Sequence, residues 1–459
     1  MARRLPSLVA LGFLALVILA SFFVFGPRPL LVFPLAGLWS FGHDGPLTDP
    51  VDFRAFYCGG HVLFDGADPY RYGPLRACQA AVLAAGGLRL DASHVLPAPL
   101  PPAALAVFGI LGFLPFRFAT EVWLVASILA VACTIYAVGA LTRLRVVAVC
   151  AVLIGSLGIA SLLLGQLVPL ALAGLLVAAL AIRRGDGIVA ALGATLGGLE
   201  PHLALPVWVS LALFVPASRR PLVASAVAIS CVSAAWGSLT AEYVATVLPA
   251  HARSELFNVA AQYGLPTVLA AFGVPDRVAL LAGCSSYALT LALGLYVGFR
   301  LSRRFADPAF LVVTPLATVL IGGPFVHIHQ MAAAVPLALL LYTRVSALAL
   351  RGLVLAAIVA LAVRWQAIAE LPAFADRATD RSQPHAAIVL KPPRPDDPIE
   401  VSYTAFIDAF ARQRDRRSLA EQLAWKVPTW FGLLAVTILA WSAGGCTKVR
   451  GVPSDPQYA

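Results

Sequence analysis

Charged side chains are scarce in this chain of 459 residues: Asp, Glu, Lys and Arg make up 12% of it, whereas 60% of the residues are hydrophobic. A typical soluble domain carries about 25% charged residues, so the composition excludes an ordinary soluble protein. Apolar runs recur from residue 8 to residue 443, and a bilayer core needs roughly 20 apolar residues per helix. We therefore predict an all-α integral membrane protein with many spans.

Acidic residues are fewer than basic ones, 23 against 33, which gives a formal net charge of +10. Short cytoplasmic loops of membrane proteins collect Lys and Arg, so we interpret this excess as a record of topology and expect no nucleic-acid partner. Of the seven cysteines, only Cys58 and Cys78 share a predicted loop. They can pair if that loop faces an oxidising compartment, and their pairing stays open.

Several motifs of catalysis are missing from the chain: no P-loop, GxGxxG, HExxH, paired CxxC or GxSxG stands in a suitable context. Nucleotide-driven chemistry on the cytoplasmic face is therefore disfavoured, and we expect no cofactor. A membrane enzyme that acts outside the cell has no nucleotide sugars at hand. It needs a donor that is already attached to a lipid.

Clusters of Arg and Lys predict which span ends face the cytoplasm. The clusters are Arg3-Arg4, Arg143 with Arg145, Arg183-Arg184, Arg219-Arg220, Arg303-Arg304, Arg344 with Arg351, and Lys448 with Arg450. They predict about twelve spans with both termini inside, near residues 8–25, 119–141, 146–164, 166–182, 188–215, 221–237, 277–299, 308–321, 329–343, 350–368 and 428–443. The stretch 188–215 begins and ends on the cytoplasmic side, so we expect a hairpin of two helices broken at Glu200-Pro201.

Three exoplasmic regions are large enough to hold a site. They are a first loop over 27–98, a loop around 238–276, and a charged segment over 369–427 with an amphipathic helical pattern. The proline-rich segment 99–115 does not fit the alternation of spans. Either it is a re-entrant or interfacial helix buried against protein, or one basic cluster faces outward.

The stretch VDFRAFYCGGHVLFDGADPY, residues 51–70, is unusually polar for this chain. It predicts an interfacial helix that stops before Gly66, with one apolar face formed by Phe53, Phe56, Tyr57, Gly60, Leu63 and Phe64. Asp52 has two interpretations of equal standing. It caps this helix, or it accepts a proton from a hydroxyl group at the membrane boundary. Asp65 and Asp68 are interpreted as turn formers.

Further polar residues occur at the outer ends of predicted spans. His327 and His329 are two residues apart and cannot share one helical face as metal ligands, so we expect no metal site. A histidine facing an exoplasmic cavity could instead donate to a phosphate or orient a sugar hydroxyl. Gln166 lies at an exoplasmic turn, and Glu200 and His202 lie in the hairpin break, where the two are expected to pair with each other.

Four patches of sequence are distinctive when taken together. They are Asp52-Phe53 followed by Tyr57, Gly60, Gly66, Pro69 and Tyr70; LPAPLPPAALAVFGILGFLPF; Gly165-Gln166 leading into a span that ends in Arg183-Arg184, with GGLEPHLALP after it; and PFVHIHQMAAAVPLALLL. In order and spacing, over roughly residues 45 to 345, they resemble glycosyltransferase family 87 of the GT-C superfamily, a group of polyprenyl-phosphate-sugar-dependent membrane enzymes that includes bacterial mannosyltransferases. The first patch is the most specific.

The resemblance implies a fold and an activity. It implies a GT-C-like helical bundle with exoplasmic loops that carry interfacial helices, a catalytic module over 1–345 and C-terminal spans over 346–459. The enzyme would lie in a bacterial inner membrane with its active site on the exoplasmic, periplasmic side. It would move mannose, or another hexose or pentose, from a polyprenyl phosphate to a lipid-linked or cell-envelope glycan, with inversion and with neither metal nor cofactor.

The resemblance also implies roles for individual residues. Asp52 matches the aspartate that acts as catalytic base at the start of the first exoplasmic loop in GT-C enzymes. His327 or His329 matches a histidine expected beside the donor phosphate. Glu200 departs from the family, because many relatives have lysine before Pro-His or Pro-Thr, and this reversal of charge puts an anion-binding role for the hairpin in doubt.

Other candidates for the substrate site follow from their chemistry. Arg54 and Arg71 in the first loop could bind the phosphate, as could Gln166 at the neighbouring turn. Tyr57 and Tyr70 could line the sugar site, because aromatic faces and hydroxyls suit carbohydrate, and core packing explains each of them equally well.

A transporter or flippase of lipid-linked or envelope glycans is the main alternative function. It too would have many spans and buried polar groups, but it predicts broken helices in repeat-related positions and polar residues near the midplane. In this sequence the polar residues gather in the first loop and at outer span ends, and no internal repeat is visible. The sequence therefore favours the enzyme.

Overall fold

The computed structural model describes residues 50–85, 95–157, 159–365, 394–400, 402–404, 407 and 419–445. The predicted first span 8–25 and most of the amphipathic pattern within 369–427 lie outside these ranges. The described residues are mostly helical and contain no β-strand, which confirms the all-α class.

The helices follow one another closely along the chain. They are α1 (Val51–Phe64), α2 (Tyr72–Ala85), α3 (Pro102–Gly112), α4 (Phe116–Thr142), α5 (Val146–Leu157), α6 (Ile159–Leu163), α7 (Val168–Arg183), α8 (Gly187–Gly197), α9 (Pro201–Phe214), α10 (Pro216–Ala235), α11 (Gly237–Glu242), α12 (Leu248–Phe257), α13 (Leu265–Ala271), α14 (Asp276–Phe305), α15 (Phe310–Gly322), α16 (Val335–Arg344), α17 (Leu348–Ala362), α18 (Leu419–Ala424) and α19 (Val427–Gly445), with a π-helical turn at Tyr243–Val247 and a 3-10 helix at Ile328–Ala334.

Three of the described helical stretches are long and apolar enough to cross a membrane: α4, α14 and Leu419–Ala443, which covers α18 and most of α19. A fourth is counted if α10 and Gly237–Phe257, which meet at an angle of 102°, form one broken span. Several shorter apolar helices accompany them, including α5, α7, α8, α9, α15 and α17. The chain is therefore compatible with a membrane protein, and the number of about twelve spans stays a prediction.

Prolines mark the helix starts that the sequence indicates. A proline in the first turn lacks only an N–H that would have no partner within the helix, so it begins a helix well. The predicted break of the 188–215 hairpin is confirmed, because α9 begins at Pro201 with Glu200 as its N-cap. The proline-rich segment 99–115 forms the short helix α3, which packs on α1 where Gly60 meets Gly109: a Cβ on Gly60 would lie 2.3 Å from the Gly109 nitrogen.

The region around 238–276, predicted as an exoplasmic loop, is helical in its first half. Residues Gly237–Phe257 form a continuous helical stretch through α11, the π turn and α12. We call this stretch the bent helix, because it meets α10 at an angle of 102°. Apolar side chains recur along it at helical spacing and pack against the first loop; they are Leu239, Tyr243, Val247 and Ala250. Burial of this face stabilises a helix in a segment that was predicted as a loop.

Basic residues from distant parts of the chain meet at one end of the bundle. Asp307, before α15, accepts from Arg183 Nε at 2.9 Å and from Arg344 Nη2 at 2.6 Å. Arg183 Nη1 also donates to the Leu141 carbonyl at 2.9 Å, at the end of α4. Because α7 starts beside Gln166 and ends at Arg183, and α15 leads away from Asp307 towards Gly322, the Gln166 turn and the segment after Gly322 lie towards the opposite end.

Candidate functional site

Asp52 contacts the Gln166 turn. It is the second residue of α1, whose N-cap is Pro50 without a side-chain cap bond, so the capping interpretation of Asp52 is wrong. Its Oδ2 accepts a hydrogen bond from Gln166 Nε2. Both side chains are half-buried, so a carboxylate oriented by an amide remains within reach of a ligand. The positive end of the α1 dipole favours the ionised carboxylate there.

Backbone contacts fix α1 against the Gln166 turn. The Leu164 carbonyl accepts from the N–H groups of Asp52 and Phe53 at 3.0 and 3.2 Å, so it satisfies donors that a helix start leaves open. Gly165 has φ +77, and a Cβ there would lie 2.5 Å from the Phe53 Cβ. Glycine is therefore required at this position for two reasons: its positive φ and the close approach of Phe53.

The helix α1 is enclosed on nearly all sides, where the sequence predicts one buried face. Phe53 stacks on Trp123 with ring centroids 5.4 Å apart and meets Phe108 at 6.3 Å. Arg54 is only 1% exposed, so it lies on the inner side of this helix. Its burial separates it from the open surface of the first loop.

Tyr57 and Tyr70 use their hydroxyls to hold the proline-rich segment. Tyr57 donates to the Leu114 carbonyl at 2.8 Å, and Tyr70 donates to the Leu100 carbonyl at 2.7 Å. Burial raises the pKa of both phenols above its ordinary value. Of the two interpretations of these tyrosines, core packing is the one that these contacts favour.

Arg71 is held by carboxylates. Its Nε lies 3.0 Å from Asp68 Oδ2, and its Nη2 lies 3.1 Å from Glu242 Oε1 on the bent helix. Asp68 also accepts from the Tyr70 N–H at 2.8 Å, which confirms its role as a turn former. With two carboxylates at hand, Arg71 offers little net positive charge to a phosphate.

A disulfide joins Cys58 in α1 to Cys78 in α2, with a Cα–Cα distance of 5.7 Å. The pairing that the sequence left open is therefore present. It ties α2 and the turn with Asp68 and Arg71 to the helix that carries Asp52.

The two histidines of the later motif lie side by side. Their rings stack with centroids 5.2 Å apart and planes 8° apart, where His327 precedes the 3-10 helix and His329 is its second residue. His329 is buried and His327 is half-buried. His327 is the N-cap of this 3-10 helix and has an extended backbone, with φ −80 and ψ 157. This conformation lets its ring stack on the ring of His329.

His327 joins a polar network from the bent helix. Its Nε2 lies 3.6 Å from Glu255 Oε2 and 2.8 Å from Gln262 Nε2. Glu255 also lies 3.9 Å from His251, one helical turn earlier. Glu255, His251 and Gln262 were not predicted as site residues, because they fall in the segment predicted as a loop. The helical spacing of the apolar residues before them is the signal that could have found them.

Glu200 reaches the same network from the hairpin break. Its Oε2 accepts from Gln330 Nε2 at 3.2 Å and lies 3.6 Å from His202 Nδ1, so the expected pairing with His202 is confirmed. Gln330 Oε1 in turn accepts from the His327 N–H at 2.9 Å. Burial raises the pKa of the Glu200 carboxyl to about 8, against a smaller lowering by the Gln330 hydrogen bond.

The bent helix connects the two halves of the candidate site. Its residues Val247 and Ala250 belong to the same hydrophobic cluster as Phe53 and Leu167, which flank the Asp52–Gln166 contact. The next turn of the helix carries His251 and Glu255. Within the described ranges, no group of three or more His, Cys, Asp or Glu side chains is arranged to hold a metal ion.

Comparisons of the chain with protein-family models, with curated proteins and with solved structures give no match. The geometry and chemistry of these residues are therefore the basis for a function.

Proposed function

We propose that this protein is a GT-C-type membrane glycosyltransferase of about twelve spans, resembling glycosyltransferase family 87, in a bacterial inner membrane. It transfers a hexose or pentose, such as mannose, from a polyprenyl phosphate to a lipid-linked or cell-envelope glycan on the exoplasmic face. The Cys58–Cys78 disulfide supports the exoplasmic assignment, because disulfides persist in oxidising compartments.

The observation that carries the proposal is the half-buried Asp52 carboxylate held by the Gln166 amide. A general base must present a carboxylate oxygen to the acceptor hydroxyl within hydrogen-bond reach. The hydrogen bond from the amide to Oδ2 orients the carboxylate for this contact. Gln166 is thus assigned to orient the base and not to bind the phosphate.

The proposed reaction is a single displacement. The acceptor oxygen forms a bond to the anomeric carbon as the bond from that carbon to the phosphate oxygen breaks, and the electron pair leaves with polyprenyl phosphate. Asp52 takes the proton of the acceptor hydroxyl. Attack from the face opposite the leaving group inverts the anomeric centre.

The leaving phosphate is assigned to the histidine pair. His327 and His329 are stacked at the same end of the bundle as Asp52, and donors near a departing oxyanion lower the barrier. The arginines of the first loop are less suited to this role, since Arg71 is held by two carboxylates and Arg54 is buried.

One observation favours the transporter instead. The 102° break between α10 and the bent helix, with Glu255 buried beyond it, resembles the discontinuous helices at which transporters bind their substrates. A transporter would move a glycolipid without changing its covalent structure.

One assay separates the two functions. The purified protein is incubated with a panel of polyprenyl-phosphate sugars and with glycolipid acceptors from a bacterial envelope, and the products are identified by mass spectrometry. A new glycosidic bond supports the enzyme. Movement of labelled glycolipid across sealed vesicles, without a new bond from any donor, would instead identify a transporter and refute the proposal.

A further inference from the structure

Glu255 is a carboxylate held firmly beside His327. Its Oε2 accepts hydrogen bonds from Asn258 Nδ2 at 3.0 Å and from Gln262 Nε2 at 2.6 Å, and its residue is 8% exposed. A buried charge with two amide donors is satisfied and fixed in place. It lies 3.6 Å from the His327 ring, at the edge of direct contact.

The amide of Gln262 fixes the geometry between carboxylate and ring. Its Oε1 accepts from the Val326 N–H at 2.9 Å, so its Nε2 is directed to Glu255 and His327. The backbone adds a second tie, from the Tyr263 N–H to the Val326 carbonyl at 2.6 Å. The segment that carries His327 is thus bound to the segment that carries Gln262.

The C-terminal spans hold this arrangement from the other side. The buried Lys426 ammonium donates to the carbonyls of Val259 and Gln262 and lies 4.9 Å from the centre of the Tyr263 ring. Trp430 Nε1 donates to the Tyr263 carbonyl at 3.2 Å. Three carbonyls of the turn 259–263 therefore accept hydrogen bonds from Lys426 and Trp430. These hydrogen bonds help to fix the position of Gln262.

From these contacts we infer that Glu255 is a positioning residue that, together with Gln262, orients His327 towards the phosphate of a polyprenyl-phosphate donor. The inference rests on the proposed function. A carboxylate or amide partner behind a histidine sets the direction of the imidazole ring. In the part of the chain that the structure describes, His251, His202 and His329 are the other titratable groups that interact with His327.

The test is a double-mutant cycle with Glu255→Gln, His327→Ala and the double variant. Two quantities are measured: kcat of transfer, and the Kd of polyprenyl phosphate, the product, bound in the absence of acceptor. Glu255→Gln is expected to raise this Kd and lower kcat by about tenfold each, as for directly coupled residues, and to leave the KM of the acceptor unchanged. In the His327→Ala background it is expected to change either quantity by less than about twofold.

Controls separate positioning from folding. Glu121→Gln removes an exposed carboxylate that pairs only loosely with Arg117, at 3.7 Å, and should leave all three quantities unchanged. Gln262→Ala removes the amide between the carboxylate and the ring and should show the same coupling to His327, so it replaces Glu255→Gln if that variant does not fold.

The outcomes distinguish this inference from the proposed function. Equal losses from Glu255→Gln with and without the His327 side chain, in a wild type that transfers sugar, would overturn the inference alone. A wild type that neither binds polyprenyl phosphate nor transfers sugar from any donor in the panel overturns both.

Discussion

The Asp52 carboxylate accepts a hydrogen bond from Gln166, a residue 114 positions further along the chain. The contact joins the start of the first-loop helix to the turn before α7, and the Leu164 carbonyl reinforces it with two backbone hydrogen bonds. Neither residue alone defines a site. Together they place an oriented carboxylate at one end of a helical bundle.

The amide of Gln166 is expected to matter for the rate and not for the fold. Gln166→Leu should lower kcat by about tenfold, because the loss of one neutral donor to a carboxylate costs about 1 to 2 kcal/mol. Initial rates with a saturating donor measure the effect. Gln79→Leu is the contrast: Gln79 is fully buried and bonds the Leu96 backbone twice, so its loss should lower Tm instead. Equal rates for Gln166→Leu and wild type would contradict the role of Gln166.

The disulfide is expected to stabilise the first loop. Cys58 and Cys78 are 20 residues apart, and a closed loop of this length stabilises a fold by about 3 kcal/mol. Cys58→Ser with Cys78→Ser should therefore lower Tm, and a reductant should lower the Tm of wild type but not that of the double variant. Cys231→Ser and Cys284→Ser, at exposed free cysteines, serve as controls. An unchanged Tm in the double variant would show that the bond does not hold α2 in place.

Glu200 is expected to make stability depend on pH. Its pKa is raised from 4.5 to about 8 in the folded state, mainly by burial. The folded state therefore binds the proton more tightly than the unfolded state, and the stability linked to this proton is present below pH 4.5 and is lost as pH rises through 8. Glu200→Gln, which stays neutral, should have a smaller fall in Tm between pH 5 and pH 8 than wild type. Parallel Tm curves for the two proteins would contradict this assignment.

The sequence predicted the local features of the fold best. Apolar runs predicted the helices, Pro201 predicted the break of the hairpin, and Gly66, with φ +75, lies just beyond the end of α1 as expected. These features depend on the chain's own propensities and on apolar periodicity. The all-α class follows from the same signals.

Long-range polar contacts could not be predicted in this way. The partner of Asp52 is far away in the sequence, and local rules alone left a helix cap equally plausible. Glu255 and Gln262 lie in a segment that the pattern of spans assigned to an exoplasmic loop, although apolar residues in its first half have helical spacing. Arg54 was a candidate for the phosphate because it is a cation in the first loop, and the packing of α1 encloses it.

The most direct test of the proposed mechanism is the rate of Asp52→Asn. Asparagine has nearly the same shape and can still bond to Gln166, but it cannot take the acceptor's proton. With the donor that supports transfer by wild type, we predict a kcat lower by roughly 100- to 10,000-fold, the range for loss of a general base, with unchanged Tm and unchanged binding of polyprenyl phosphate. Transfer by Asp52→Asn at the wild-type rate would contradict the assignment of Asp52 as the base.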